Sequence, residues 1–328
     1  MPTPHRTSLR RVLITGAGGQ DGHYLTELLS SRGVAVFAFV RAQDASPPQA
    51  HRLDGDMRNA TAIRRALDAA CPDAIFNLAA ATFVPESWND PGYFRDVNEL
   101  GVARLLAAIR ASGAAIRLCQ ASTAEIFGAA TGDPQDELTP LRPNTPYGRA
   151  KAAAHEMIRQ YRQEHGLKAC SAILFNHESP LRPPAFVTRK ITMAAAHISR
   201  GLQKQLVLGS LTVARDWGYA PEYVEAMVRM IEAPAMADYV VATGRACTVA
   251  DLAELAFARV GLDWREHVVS DPALTRPGDA AARVGNPEAI ARDLGWRATT
   301  TLAELVSIMV EADLARLHAA SSAAGDTT

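Results

Sequence analysis

The sequence predicts an α/β protein: a doubly wound parallel sheet of the Rossmann type with a smaller C-terminal α/β substrate domain. Three observations carry this. Short apolar runs alternate with helical patterns as far as Phe175. A glycine-rich turn follows the first of those runs directly. Beyond Phe175 the rhythm weakens, and Pro180, Pro183 and Pro184 interrupt it.

Arg11–Thr15 is a β-branched run ending at a glycine, as suits a strand buried on both faces. A helical pattern runs from Gly22 to Ser31. Val34–Val40 reads as the second strand, and Asp56-Met57 after Gly55 ends what reads as a third. Ala60–Ala70 reads as a helix, Ala74–Leu78 as a strand and Asn98–Ser112 as a helix. Ile116–Ser122 is a strand, Tyr147–His165 a helix and Lys168–Leu174 a strand. Residues 8–175 are expected to form the cofactor domain, rejoined by parts of 211–245. Residues 176–320 are expected to form mainly the substrate domain. Its helices fall near Thr188–Arg200, Pro221–Ile231, Val249–Val260, Pro287–Leu294 and Leu302–His318. Gln205–Leu208 and Tyr239–Ala242 are strand-like. Ser321–Thr328 is small and polar and reads as a disordered tail.

Hydrophobic residues make up 48% and charged residues 21%, enough apolar material for a buried core. The formal net charge is -1. With no basic stripe, nothing points to nucleic-acid binding. The N-terminal charges precede no apolar run, so no signal peptide is expected, and no apolar stretch is long enough for a membrane span. Cys71, Cys119, Cys170 and Cys247 lie far apart in apolar segments. Free buried thiols, no metal site and a cytoplasmic setting are the expectations.

Thr15-Gly-Ala-Gly-Gly-Gln-Asp-Gly22 spaces Gly16, Gly19 and Gly22 as G-x-x-G-x-x-G between strand and helix. Missing side chains let backbone approach a pyrophosphate, and a helix N-terminus stabilises its charge. Arg41 directly follows the second strand, which favours a 2′-phosphate and hence NADP over NAD. Asp44 argues the other way, and a solvated Arg is the plain alternative. Asp56, followed by Met57, can accept a hydrogen bond from an adenine amino group or simply occupy a polar turn.

Tyr147 and Lys151 stand at i and i+4, one helical turn apart on one face. A nearby ammonium lowers a phenol's pKa, so Tyr147 reads as a base. Thr123 and Glu125 stand at the carboxyl end of a strand, where ligands of doubly wound folds sit. Two residues apart in extended chain, they are expected to face the same side.

Taken together, Arg11 to Arg316 resembles the GDP-mannose 4,6-dehydratase family, a branch of the extended short-chain dehydrogenases/reductases. The strings that carry the resemblance are Ile14–Gly22, Gln120–Glu125, Leu174–Pro180 with Phe186–Ile191, and Arg215–Gly218 with Tyr223–Met227. The resemblance implies NADP contacts from Gly16, Gly19, Gln20, Asp21, Gly22, Arg41, Asp56, Met57, Leu78, Ala79, Tyr147, Lys151, His177 and Arg182. It implies contacts to a GDP-sugar from Thr82, Asn176, Val187, Lys190, Arg215, Arg276 and Asp279. It also implies the chemistry. Tyr147 deprotonates the C4 hydroxyl and Thr123 hydrogen-bonds its oxygen. Glu125 removes the C5 hydrogen and water leaves from C6, the C4 hydride being stored on the cofactor and returned to C6.

Ala81-Thr82-Phe83 stands where the family has Gln-Ser-His, and Arg276-Pro-Gly-Asp279 where it has Arg-Pro-Thr-Glu. The loop after Arg41 is also shorter. These departures leave another GDP-sugar, hexose or heptose, open as the substrate, and either a dimer or a tetramer as the homo-oligomer. The competing enzyme is an epimerase or reductase on the same scaffold. Glu125 speaks against it, because C5 proton abstraction needs a carboxylate and hydride transfer alone does not. A non-catalytic NADP-binding regulator would not need Glu125, Tyr147 and Lys151 together.

Overall fold

A computed structural model describes residues 8–128, 134–274 and 282–325. β1 (Arg11–Thr15) leads through the glycine turn into α1 (Gln20–Ser31), followed by β2 (Ala35–Val40) and β3 (His51–Asp54). Next come α2 (Ala60–Ala70) and β4 (Ala74–Asn77). α3 (Pro91–Arg95) runs through a π-helical segment at Asp96–Leu100 into α4 (Gly101–Ser112). β5 (Arg117–Ala121), α5 (Pro146–His165) and β6 (Ala169–Leu174) follow. The second half carries β7 (Asn176–Glu178), α6 (Val187–Ser199), β8 (Leu206–Leu208), β9 (Ala214–Arg215) and β10 (Trp217–Tyr219). α7 (Ala220–Glu232), β11 (Tyr239–Val241), β12 (Cys247–Thr248), α8 (Val249–Ala258) and β13 (Val268–Ser270) come next. α9 (Glu288–Leu294) and α10 (Leu302–Gly325) end the described chain.

Seven strands form one sheet in the order β11-β6-β5-β4-β1-β2-β3, every pair parallel. The order reverses between β1 and β4, so the crevice for a ligand opens beyond the carboxyl ends of those two strands. Both faces are covered. Within β1, Val12 and Ile14 pack toward Leu25 and Leu29 of α1 and Val224 of α7. Leu13 packs toward Ile63 of α2, Leu105 of α4 and Ile158 of α5. That alternation explains why the run is apolar throughout. Each such side chain contributes about 1.5–3 kcal/mol on burial. A separate cluster joins α6, α8 and α10 through Ile191, Phe257 and Met309. β11 carries the chain back to the large sheet by pairing Tyr239–Val241 with Ala172–Leu174.

Three expectations are corrected. The helix expected from Asn98 begins at Pro91, where the Asp90 side chain accepts from the Tyr93 amide at 3.0 Å. Pro91-Gly92 reads as a breaker, yet proline at the first helical position gives up an amide that has no partner there anyway. The segment from Ser321 is not a disordered tail as far as Gly325: α10 runs through it, on alanines with high helix propensity. The remaining tail residues, 326–328, lie outside the described residues. Cys119 and Cys170 are buried, but Cys71 is exposed and Cys247 half-buried; all four are free. Cys71 ends α2 at φ 40°, a position at the helix terminus rather than in the core. No described helix is long and apolar enough to cross a membrane.

Candidate active site

The glycine turn lies at the switch point. Gly16 has φ +68°, and a Cβ there would stand 2.7 Å from the Ala79 backbone, so only glycine brings the turn this close to the exit of β4. Gly19 is the N-cap of α1, and no side chain caps the helix. Its first amides are left for an anion. A cavity of about 750 Å³ opens there, lined by Gly19, Asp56, Met57, Leu78 and Thr82 and reaching Phe186. An uncapped helix start, a glycine cradle and a cavity of this size fit the pyrophosphate and adenosine of a dinucleotide.

Gln20 and Asp21 reach across to β7. Gln20 Nε2 donates to the His177 carbonyl at 3.1 Å, and Gln20 Oε1 accepts from Ser179 at 2.8 Å. Asp21 and the His177 imidazole pair at 2.9 Å. Burial opposes the charged imidazole, but the charge and hydrogen bond of Asp21 outweigh it and raise the His177 pKa. Burial pushes Asp21 up, and His177 brings it below the usual carboxylate value. The stability from His177 is complete below the ordinary imidazole value of 6.5 and is lost as pH rises through the raised one. That from Asp21 is complete above 3.8 and is lost as pH falls through the lowered one. The pair therefore stabilises most between those two ordinary values. Thermal midpoints of wild type and His177→Gln should differ most in that window and converge in alkali; a constant difference would refute the ion pair.

At the β2–β3 end of the cavity, Arg41 is exposed and bonded to Asp44 at 2.8 and 3.0 Å, with the Tyr93 hydroxyl at 3.3 Å. Asp56 is bonded by Arg58 at 2.8 Å, and the Arg58 guanidinium lies 5.4 Å above the Tyr93 ring. Arg58 has no motif around it and was not legible as a site residue.

The Tyr147 end of the site is organised by a buried hydrogen-bond chain. Thr15 donates to Asn77 at 2.5 Å, and Asn77 donates to Gln120 at 2.6 Å. Gln120 donates to the Ala121 carbonyl at 2.8 Å, and Lys151 Nζ donates to the same oxygen at 2.6 Å. The ends of β1, β4 and β5 are thus tied to α5. α5 is capped by the Thr145 side chain, which accepts from the Gly148 amide at 2.9 Å, so Tyr147 sits on a fixed first turn. A Cβ on Gly148 would stand 2.7 Å from the Glu125 carbonyl oxygen. Glycine there lets the Glu125 segment abut the turn that carries Tyr147.

Two expectations about this set are corrected. Thr123 and Glu125 are not aligned by extended chain: the backbone turns into a 3₁₀ segment at Ala124–Ile126, and Thr123 caps it by accepting from the Glu125 amide at 3.3 Å. A threonine oxygen next to free amides favours that turn. Nor is Lys151 what sets the Tyr147 pKa. Burial pushes the phenol up, the Thr123 hydroxyl draws it down and the Glu125 charge raises it again, leaving it at about 12. Burial draws the Lys151 ammonium down to about 8.

Glu125 is ion-paired with Arg283, a residue no motif had singled out. The lining of the cavity does not include Thr123, Glu125, Tyr147 or Lys151. Tyr147 adjoins it through Phe94, which lines it and meets the Tyr147 ring edge-on at 6.4 Å.

The remaining expected residues are more dispersed. Asn176 opens β7 and is exposed, Val187 opens α6, and Lys190 is exposed on α6. Arg215 is buried on β9, with Nη1 donating to the Ala214 carbonyl at 2.7 Å. Arg182 lines the cavity, pairs with Glu178 at 3.0 Å and stacks 3.7 Å over Phe186. Phe186 meets Phe83 edge-on at 5.9 Å. Arg276 and Asp279 lie outside the described residues.

A sequence model of GDP-mannose 4,6 dehydratase matches residues 13–309. The chain belongs to the GDP-mannose 4,6-dehydratase family. It is an enzyme, a hydro-lyase on the extended short-chain dehydrogenase/reductase scaffold. GDP-mannose 4,6 dehydratase 1 of Arabidopsis thaliana is 41% identical over 322 residues, covering 92% of this chain and 89% of that one. The Sinorhizobium fredii GDP-mannose 4,6-dehydratase is 38% identical over 346 residues, covering 95% and 99%. Among solved structures, a Thermus thermophilus UDP-glucose 4-epimerase in complex with NAD superposes with a TM-score of 0.83 at 28% identity, covering 92% of this dehydratase and 98% of the epimerase.

Proposed function

We propose that this dehydratase converts GDP-mannose to GDP-4-keto-6-deoxy-mannose with Thr123, Glu125, Tyr147 and Lys151 as its catalytic set. The observation that carries this is their geometry: Thr123 caps the turn that holds Glu125, the Glu125 backbone abuts Gly148 on the turn that carries Tyr147, and Lys151 is tied to the end of β5 through Ala121. A hydroxyl, a phenol and a carboxylate then meet at one sugar. A nicotinamide, when bound, would store the C4 hydride and give it back to C6 as C5 takes a proton from solvent. Tyr147 takes the C4 hydroxyl proton, and Thr123 holds the C4 oxygen. The resulting ketone acidifies C5. Glu125 accepts the C5 proton, the electron pair forms the C5–C6 double bond, and the C6 hydroxyl leaves as water with that proton. Lys151, held by the Ala121 carbonyl one helical turn from Tyr147, contacts NADP.

The glycine turn with Gly16, Gly19, Gln20, Asp21 and Gly22 takes the pyrophosphate, flanked by Leu78, Ala79, His177 and Arg182. Asp56 and Met57 take the adenine side. Thr82, Asn176, Val187, Lys190, Arg215, Arg276 and Asp279 take the GDP-sugar. The dehydratase works as a homo-oligomer, dimer or tetramer, a reading that rests on the family resemblance alone.

NADP is the cofactor in this reading, because Arg41 and Arg58 both converge on Tyr93 at the adenosine end. Asp44 must give up part of its hold on Arg41 for a 2′-phosphate. Arg41→Ala should weaken NADP binding about 10- to 100-fold, as loss of a charged hydrogen bond does, and leave NAD binding nearly unchanged. Equal losses for both cofactors, measured by titration calorimetry, would refute the preference.

The deciding experiment incubates the protein with NADP and GDP-mannose in deuterated water. A 4-keto-6-deoxy product with deuterium at C5 and no net NADPH is expected. Net change in the cofactor would indicate a dehydrogenase or reductase. Unchanged GDP-mannose that fails to bind would move the assignment to another GDP-sugar, a reading favoured by the Phe83–Phe186 wall of the cavity.

A further inference from the structure

We propose that Arg283 is a positioning residue for the elimination step: it anchors one oxygen of Glu125 and leaves the other as the atom that removes the C5 proton. This deepens the proposed function and rests on it. Arg283 Nη1 pairs with Glu125 Oε1. Glu125 Oε2 is buried and has no hydrogen-bond partner among the described residues. A carboxylate free to rotate presents either oxygen to a substrate, whereas one held by a guanidinium presents one. The side chains of Arg283 and Glu125 are 10% and 21% exposed, so solvent screens their attraction weakly.

The guanidinium is itself held through its backbone. The Arg283 carbonyl accepts from the Asp216 amide at 3.0 Å. On the other side, the Gln135 amide donates to the Val284 carbonyl at 2.7 Å, and the Asn286 amide donates to the Gln135 carbonyl at 2.8 Å. Asp216 fixes its surroundings by accepting from the Thr243 and Gly244 amides at 2.9 Å. Segments from both halves of the chain therefore aim one cation at the residue just past β5.

The chemistry needs this arrangement. Glu125 must be anionic to take a proton, and a carboxylate withdrawn from water needs a counter-charge. When the C5–H bond breaks, the proton goes to Oε2 and its electron pair becomes the C5–C6 double bond. The C6–O bond breaks, and the hydroxyl leaves as water with the proton from Oε2. Arg283 keeps its own protons throughout, so it positions the base and does not react.

The test compares wild type, Arg283→Gln and Arg283→Lys with GDP-mannose and NADP. Arg283→Gln should lose about a hundredfold in kcat. GDP-mannose affinity by calorimetry should stay within about twofold, and C4 oxidation, read as nicotinamide absorbance in a single turnover, should persist. Arg283→Lys should recover part of the loss. In a Glu125→Gln background, Arg283→Gln should cost nothing further, because its effect passes through Glu125. Wild-type kcat in Arg283→Gln would overturn the proposal. So would a loss confined to GDP-mannose affinity, which would make Arg283 a substrate-binding residue. A parallel fall of C4 oxidation, elimination and thermal midpoint in both variants would also overturn it, as a purely structural role. If wild type itself yields no 4-keto-6-deoxy product, the proposed function fails rather than the anchoring.

Discussion

Glu125→Gln should stop formation of the 4-keto-6-deoxy product while oxidation at C4 continues. The amide keeps the shape of the side chain and still offers an oxygen to the Arg283 guanidinium, so the pair's geometry survives. It cannot accept the C5 proton. A loss of about 10²–10⁴-fold is the scale for removing a general base. The hydride removed from C4 then has no C6 acceptor, because water never leaves. Nicotinamide absorbance should rise to a lasting plateau of at most one equivalent per site, and deuterium should no longer enter at C5. Product formation at the wild-type rate would remove Glu125 from the mechanism. Glu125→Ala is the poorer experiment. It strands a guanidinium that is only 10% exposed, at a stability cost of about 3–5 kcal/mol. Loss of activity there would not separate chemistry from folding.

What was legible in the sequence was what local physics fixes. Val12, Leu13 and Ile14 are apolar on both sides because two helical layers cover β1. Gly16 announces its turn because no other residue fits against Ala79. Tyr147 and Lys151 share a face because one helix carries both. What escaped depends on residues far apart. Arg283 stands 158 positions from Glu125, and nothing around it marks it as more than a surface cation. Asn77 and Gln120 look like ordinary polar residues at strand ends until the sheet sets them side by side. The competition between Thr123 as an extended residue and Thr123 as a cap is decided by free amides that only the fold creates. The same holds for the phenol of Tyr147: its i+4 spacing from Lys151 was legible, but its burial was not, and burial is the larger effect.

Tyr147→Phe should abolish both half-reactions, because without proton removal at C4 no ketone forms to acidify C5. Its pH dependence can be derived from the two buried groups. With its pKa at about 12, the Tyr147 phenol is protonated through the working range, and its ionised fraction grows tenfold per pH unit. C4 oxidation in a single turnover should therefore accelerate as pH rises. Lys151, at about 8, loses its charge above that value, and with it the charged contact to NADP that the proposed site gives it. The rise should flatten near there. Lys151→Met should lower the rate and erase the break, whereas an unchanged break would assign it to another group. The same shift makes a claim about stability. A lysine lowered from 10.5 to about 8 destabilises the folded state fully below the lower value, and the penalty fades as pH climbs to the higher one. At neutral pH the penalty is on the order of 3 kcal/mol. Lys151→Met should thus melt higher than wild type at neutral pH, with the gap closing in alkali, while catalysing far less. A variant that loses stability and activity together would show that the hydrogen bond from Lys151 to Ala121 outweighs the burial of its charge.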